Sequence, residues 1–201
     1  MRRLKIPAYP LTDYASADLA AGGVYVGRLE ESLARRPNRV GLHRHDHFEI
    51  FWVQGTGIHF NDFQDYPLEG HTLVAVSSGQ VHGWPDSGNL RGVMIGFTTA
   101  FFDGREPPPT TLMRYPFLWS GQPVLKLPDH PAVEFLVRLM EQESTQRRGD
   151  WQEVVRSGLR MILTLAARSA SDGASQEPAR AASLVLNFRS LLEERFRTTQ
   201  A

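Results

Sequence analysis

The sequence predicts a mainly β protein with C-terminal helices, and three observations predict it. Between Val24 and Leu127, short runs rich in β-branched and aromatic residues (VYVGRLE, HFEIFWV, GIHFNDF, TLVAV, QVHGW, VMIGFTT, VLKL) alternate with turn residues. After Pro128 the apolar period becomes helical, with Val133, Leu136, Val137 and Met140 in one stripe. The segment SASDGAS at 169–175 is then too small and polar for a core element. Many short strands at regular spacing argue a barrel or a two-sheet sandwich, here followed by helices.

Taken in order, residues 1–20 read as an N-terminal arm, with Pro7 and Pro10 interrupting any regular element. Residues 21–128 form the barrel. Within it Gly55-Thr56-Gly57 suits a tight reversal, and Glu106-Pro107-Pro108-Pro109 suits a surface connection rather than a central strand. Residues 129–170 form a helical segment. Pro131 fits a first helical turn, and Asp150 with Glu153 three residues on is an aspartate version of the capping box. The second helix is apolar on two faces. Trp151, Val155, Leu159, Ile162 and Ala166 form one, and Val154, Gly158, Met161 and Leu165 form the other. One face is expected to cover the barrel and the other to dimerise against a second copy. Residues 171–179 read as a linker. Residues 180–201 carry a further amphipathic stripe (Leu184, Phe188, Leu191, Leu192) and read as the start of another domain.

Composition narrows the function. The 201 residues are 41% hydrophobic, and 22 basic side chains balance 22 acidic ones, which argues against a strongly basic nucleic-acid binder. With no cysteine there is no disulfide and no thiolate metal site. The N-terminus has no apolar run after Arg2, Arg3 and Lys5, and the most apolar stretch, 161–167, is too short to span a bilayer. The expectation is a cytoplasmic protein without a membrane partner.

The chemistry concentrates in GLHRHDHFEI, residues 41–50. Side chains two apart on a strand share a face, so His43, His45, His47, Glu49, Phe51 and Val53 would point one way. Imidazoles and a carboxylate on one wall could hold a divalent metal, with His82 from another strand as a further group. The alternative, a hydrogen-bonded polar pair of His43 and His45 without metal, stays open. His47 reads as structural or as pocket rim, and His59, His71 and His130, near turns, read as solvated. A nucleophilic site has no support, since there is no cysteine, no G-x-S-x-G and no phosphate loop.

The spacing His43-x-His45-x-x-x-Glu49, followed by Gly79-x-x-His82, resembles the two metal motifs of cupins. The longer stretch HRHDHFEIFWVQGTGIHFNDFQDYPLEGHTLVAVSSGQVHGW resembles the sensor domain of AraC/XylS-type transcription regulators. LVLNFRSLLEERFRTTQ resembles the first helix of that family's helix-turn-helix domain. The resemblance implies a cupin-like double-stranded β-helix, a jelly-roll barrel, followed by an α-helical dimerisation segment. It implies ligand binding by His43, His45, Glu49, Phe51, His82, Trp84, Gly92 and Met94, with Trp84 able to stack on a flat or sugar-like ligand. Gln54 sits where a sugar-binding relative makes a polar contact, although strand parity directs it outward. The cofactor it leaves room for is one divalent ion (zinc, nickel, iron or manganese) on His43, His45, Glu49 and His82. The implied partners are a sugar or aromatic-acid effector, a second copy as homodimer, and DNA only through a C-terminal domain expected to be missing here. The implied protein is not an enzyme; the alternative is a metal-dependent cupin oxygenase or isomerase on the same four ligands. The chain departs from the pattern at Ser78, where proline is common, and at Asp86, where the cupin pattern often has asparagine.

Overall fold

The computed structural model describes residues 6–14, 22–35, 40–103, 112–119, 122–127 and 130–172. The rest of the expected arm, the proline-rich connection, and residues 173–201 with most of the linker and the third helix lie outside the described residues.

The expected β architecture is present. A five-stranded antiparallel sheet has the order β10-β7-β4-β9-β2, built from β2 (Val24–Arg28), β4 (Phe48–Gln54), β7 (Thr72–Val76), β9 (Arg91–Phe97) and β10 (Val124–Lys126). A three-stranded sheet has the order β6-β5-β8, from β5 (Thr56–Asn61), β6 (Gln64–Glu69) and β8 (His82–Asp86). Arm strand β1 (Ala8–Tyr9) pairs in parallel with β3 (Arg44–His45), and a single bridge from His43 to His82 ties that pair to β8. Inward residues of both sheets meet in one cluster containing Phe51, Val74 and Met94 from the first and Leu68 and Trp84 from the second. This is a cupin-like jelly roll followed by helices.

β4 shows why its sequence is almost continuously apolar. Its odd residues, Glu49, Phe51 and Val53, face the barrel interior. Phe48, Ile50 and Trp52 face the other way, into a second core shared with the helices. A strand covered on both faces loses the polar–apolar alternation of a half-exposed one. Among the described residues the α-helices are α1 (Leu29–Arg35), α2 (Thr99–Asp103), α3 (Pro131–Gln146) and α4 (Trp151–Asp172).

Several expectations need correction. The run VYVGRLE is strand only to Arg28, and α1 follows directly, anchored by buried Leu29. Gly55, at φ +119°, does not close a hairpin; it carries the chain from β4 in one sheet to β5 in the other. Asp150 is left-handed (φ +59°), so it is not a side-chain cap; its carbonyl accepts the amides of Glu153 and Val154 at 2.9 and 3.3 Å. α4 continues to Asp172, past the expected start of the linker. Of the stripe expected to dimerise, Gly158 is buried in the contact with α3, where a Cβ would stand 2.9 Å from Met140. Leu165 is partly buried against the core, and Val154 and Met161 are exposed. Among the described residues no helix is long and apolar enough to cross a membrane.

The β5–β6 hairpin turns at Asp62-Phe63, both at positive φ (39° and 75°), with the Phe63 side chain 97% exposed. Such a turn favours glycine at its second position. Phe63→Gly is expected to stabilise the chain by about 1 kcal/mol, read in calorimetry as a Tm about 3 °C higher.

Candidate metal centre

Five ionisable side chains converge in the barrel interior. His43, His45, His47 and Glu49 come from the β3–β4 stretch and His82 from the start of β8, and each is at most 3% exposed. The chain bends at Asp46–His47, yet the inward parity of 43, 45, 47 and 49 survives the bend. Glu49 is the hub. Its Oε2 lies 3.3 Å from His45 Nε2 and 3.4 Å from His82 Nε2, and its Oε1 lies 3.4 Å from His47 Nε2. His43, His45 and His82 form one cluster of close donor atoms, and His45, His47 and Glu49 form another.

Outer contacts orient the rings. His43 Nδ1 is 2.7 Å from the Gly41 carbonyl and His45 Nδ1 is 3.1 Å from the Tyr9 carbonyl. His47 Nδ1 is 2.9 Å from Asp46 Oδ1, which also accepts the Leu11 amide at 3.0 Å. These are the contacts that fix the tautomer of a ligating histidine and leave its other nitrogen free for a metal. The Tyr14 hydroxyl lies 3.2 Å from His45 Nε2. Tyr9, Leu11 and Tyr14 belong to the described part of the arm, residues 6–14, which therefore lies directly on the histidines.

Protonation follows from burial and from the one carboxylate. Burial pulls His45 down to about 4, against the opposing charge of Glu49. Burial and then the neighbouring His43 and His45 hold His82 well below its ordinary value. For His47 burial also acts downward, but the hydrogen bond and charge of Glu49, and then those of Asp46, outweigh it and raise the value. Burial would raise Glu49, but His45 and His47 reverse that and bring it to about 2. At neutral pH the interior thus holds an ionised Glu49 carboxylate with His45 and His82 as neutral donors beside it.

A divalent ion fits this donor set. Neutral imidazoles and an ionised carboxylate are the ligating forms. Two ligands about 2.1 Å from one ion stand roughly 3.0–3.4 Å apart, as Glu49 Oε2 does from His45 Nε2 and His82 Nε2, while His43 comes within 4.8 Å of His45 and His82. Glu49 Oε2 and both ring nitrogens of His82 are buried without a hydrogen-bond partner, a costly arrangement that a cation would relieve. His43, His45, Glu49 and His82 would hold the ion, and His47, inside the cluster rather than at a rim, is within reach of the same carboxylate. Bound there, such an ion would supply Lewis acidity to a small polar guest.

Phe51, Trp84 and Met94 line the interior as expected, but the free space beside them is about 10 Å³, on the order of one water. Gln54 is not in the barrel: it pairs in register with Arg91, without a bulge, and points outward. Gly92 serves close packing, since a Cβ there would collide with the Trp52 carbonyl. His71 and His130 are partly buried rather than solvated. The clearest miss is His59. It is fully buried, 4.5 Å from Trp84 and 5.5 Å from His82 between ring centroids, with neither ring nitrogen hydrogen-bonded. Burial lowers it to about 3. Asn61 shares its face and is also buried. In β5 the polar residues point in while Ile58 and Phe60 are only partly covered, which inverts the usual pattern.

No family model matches the chain, and no curated protein matches it. Among solved structures it is similar to a predicted oxalate decarboxylase from Thermotoga maritima, at 24% identity. The match covers 37% of this chain and 80% of that one, with a TM-score of 0.28.

Proposed function

We propose that the chain is the sensing and dimerisation part of an AraC-type transcription regulator, and that its barrel senses through a divalent metal ion at His43, His45, Glu49 and His82. The observation that carries this reading is the seat of the arm. β1 pairs with β3, Tyr9 accepts from His45 through its carbonyl, and the Leu11 amide reaches Asp46, which is bonded to His47. Whatever changes the charge or position of the histidines changes the arm's seat, which is how a buried guest would bias two arrangements of a larger assembly. The small interior space favours an ion with a water over a sugar in the barrel. The cytoplasm is the compartment this role requires.

The test is hydrogen exchange at the Leu11 amide with and without Zn²⁺ or Mn²⁺, on protein stripped by a chelator. The expected result is saturable binding, a higher Tm and slower exchange at Leu11. A bound metal that leaves the arm's exchange unchanged would refute the sensing role while sparing the site.

Dimerisation would use the exposed part of α4. Val154 and Met161, seven residues apart, share one face and are 36% and 54% exposed. Met161→Asp is expected to shift sedimentation from dimer toward monomer, with Tm lowered only by the lost association, because that side chain is 54% exposed and packs no core. The second reading is a metal-dependent cupin oxygenase or isomerase on the same ligands. It is favoured by the complete donor set and by the Tyr14 hydroxyl, a proton-bearing group beside His45.

A further inference from the structure

A second concavity lies outside the barrel, where the outer face of the five-stranded sheet meets α3. Its volume is about 320 Å³, against about 10 Å³ beside the histidines. The larger value is in the size class of small-molecule sites. Trp52 and His71 form an aromatic wall, stacked with centroids 5.4 Å apart and planes 25° apart, and Val93 and Val137 extend the apolar surface. His71 Nδ1 is buried without a hydrogen-bond partner, and Gln54 offers an amide to the same space.

Charge selects among small molecules. Arg28 is gripped by Glu141 through two hydrogen bonds, one of them 2.7 Å, and Arg138 pairs with Glu134. Arg91 also lines the cleft, and its side chain has no ion pair or hydrogen bond with a described residue. Within the lining three arginines stand against two glutamates, and Glu30, whose carboxylate accepts the Gly92 amide at 3.0 Å, lines the adjoining pocket that Arg91 also borders without forming an ion pair with it. An aromatic wall beside a guanidinium that has no ion pair with a described residue suits a flat ring bearing one carboxylate, since arginine binds carboxylates in a two-pronged manner. A neutral sugar would leave that charge unmatched.

We propose that this cleft is a binding site for an aromatic monocarboxylate, with the ring against Trp52 and His71 and the carboxylate on Arg91. The cleft walls come from β2, β4 and β9 on one side and α3 on the other, and the Arg28–Glu141 pair joins the two sides. An occupant therefore bears on how the helices sit against the barrel. The site is independent of any metal in the interior.

The test is a titration of the full chain with salicylate, followed by the indole signals of the tryptophans in ¹⁵N NMR. The Trp52 signal is expected to move saturably while the Trp84 signal stays in place. Arg91→Gln, at an exposed position, should weaken salicylate about ten-fold or more, the effect of losing a charge-assisted hydrogen-bond pair. Neutral salicylamide should bind both proteins equally and weakly. Three results would each overturn the proposal: no saturable shift at millimolar salicylate, movement of Trp84 in place of Trp52, or equal salicylate affinity in the Arg91→Gln protein.

Discussion

His82→Ala is expected to lower the affinity for Zn²⁺ or Mn²⁺ about 100-fold or more while leaving the chelator-treated protein close to its original stability. A direct ligand is worth at least as much as the surrounding groups that orient it, whose loss alone costs about 10–100-fold. The small effect without metal has a separate cause. Truncating a buried side chain normally costs about 2–5 kcal/mol through lost packing. Here the removed ring carries two buried nitrogens without hydrogen-bond partners, and their desolvation penalty disappears with it. The two effects oppose each other. The comparison is read from melting curves of both proteins in chelator and in metal. A wild-type Tm that rises with metal and a variant Tm that does not is the expected pair. Equal metal-dependent rises would remove His82 from the ligand set, and a variant that melts far lower in chelator would make its role one of packing.

Acid should destabilise the metal-free chain well above the usual carboxylate range. His45, held at about 4, His59, at about 3, and His82, held below its ordinary value, all refuse protons in the folded state that they accept once unfolded. Their contribution is complete above about pH 6.5 and is lost as the pH falls toward the folded values. For His45 alone the loss amounts to about 3 kcal/mol by pH 4. Glu49 acts in the same direction lower down, its stabilisation present above about pH 4.5 and lost toward pH 2. His47 opposes them: its raised value adds stability below its unfolded pKa that is lost as the pH rises through its folded pKa. Three lowered histidines outweigh one raised histidine. Circular dichroism melts in chelator at pH 7.5, 6 and 5 should therefore show a steadily falling Tm. Metal should raise the Tm most at pH 7.5, because its ligands must shed protons to bind. A Tm that is flat from pH 7.5 to 5 would contradict the buried neutral histidines.

The sequence alone determined the change from β to helix after Pro128 and the inward parity of His43, His45, Glu49 and Phe51. Both follow from a short-range rule, a period of two on strands and 3.6 on helices, that needs no knowledge of what packs where. The approach of His82 is an implication of the motif resemblance, and the bridge from His43 to His82 makes it. The failures of sequence reasoning share one cause, that the decisive neighbour is distant in sequence. His59 looked solvated because it sits between turn signals; only the closure of β5 onto β8 encloses it beside His82 and Trp84. Gly158 looked like part of an exposed stripe until α3 brought Met140 against it. Gln54 and Arg91 acquire meaning only because α3 passes over the outer face of the sheet and makes a cleft there. Local spacing sets which way a side chain points along its own strand or helix. Whether it then meets solvent, another ring or a helix depends on long-range pairing, which only the folded chain supplies.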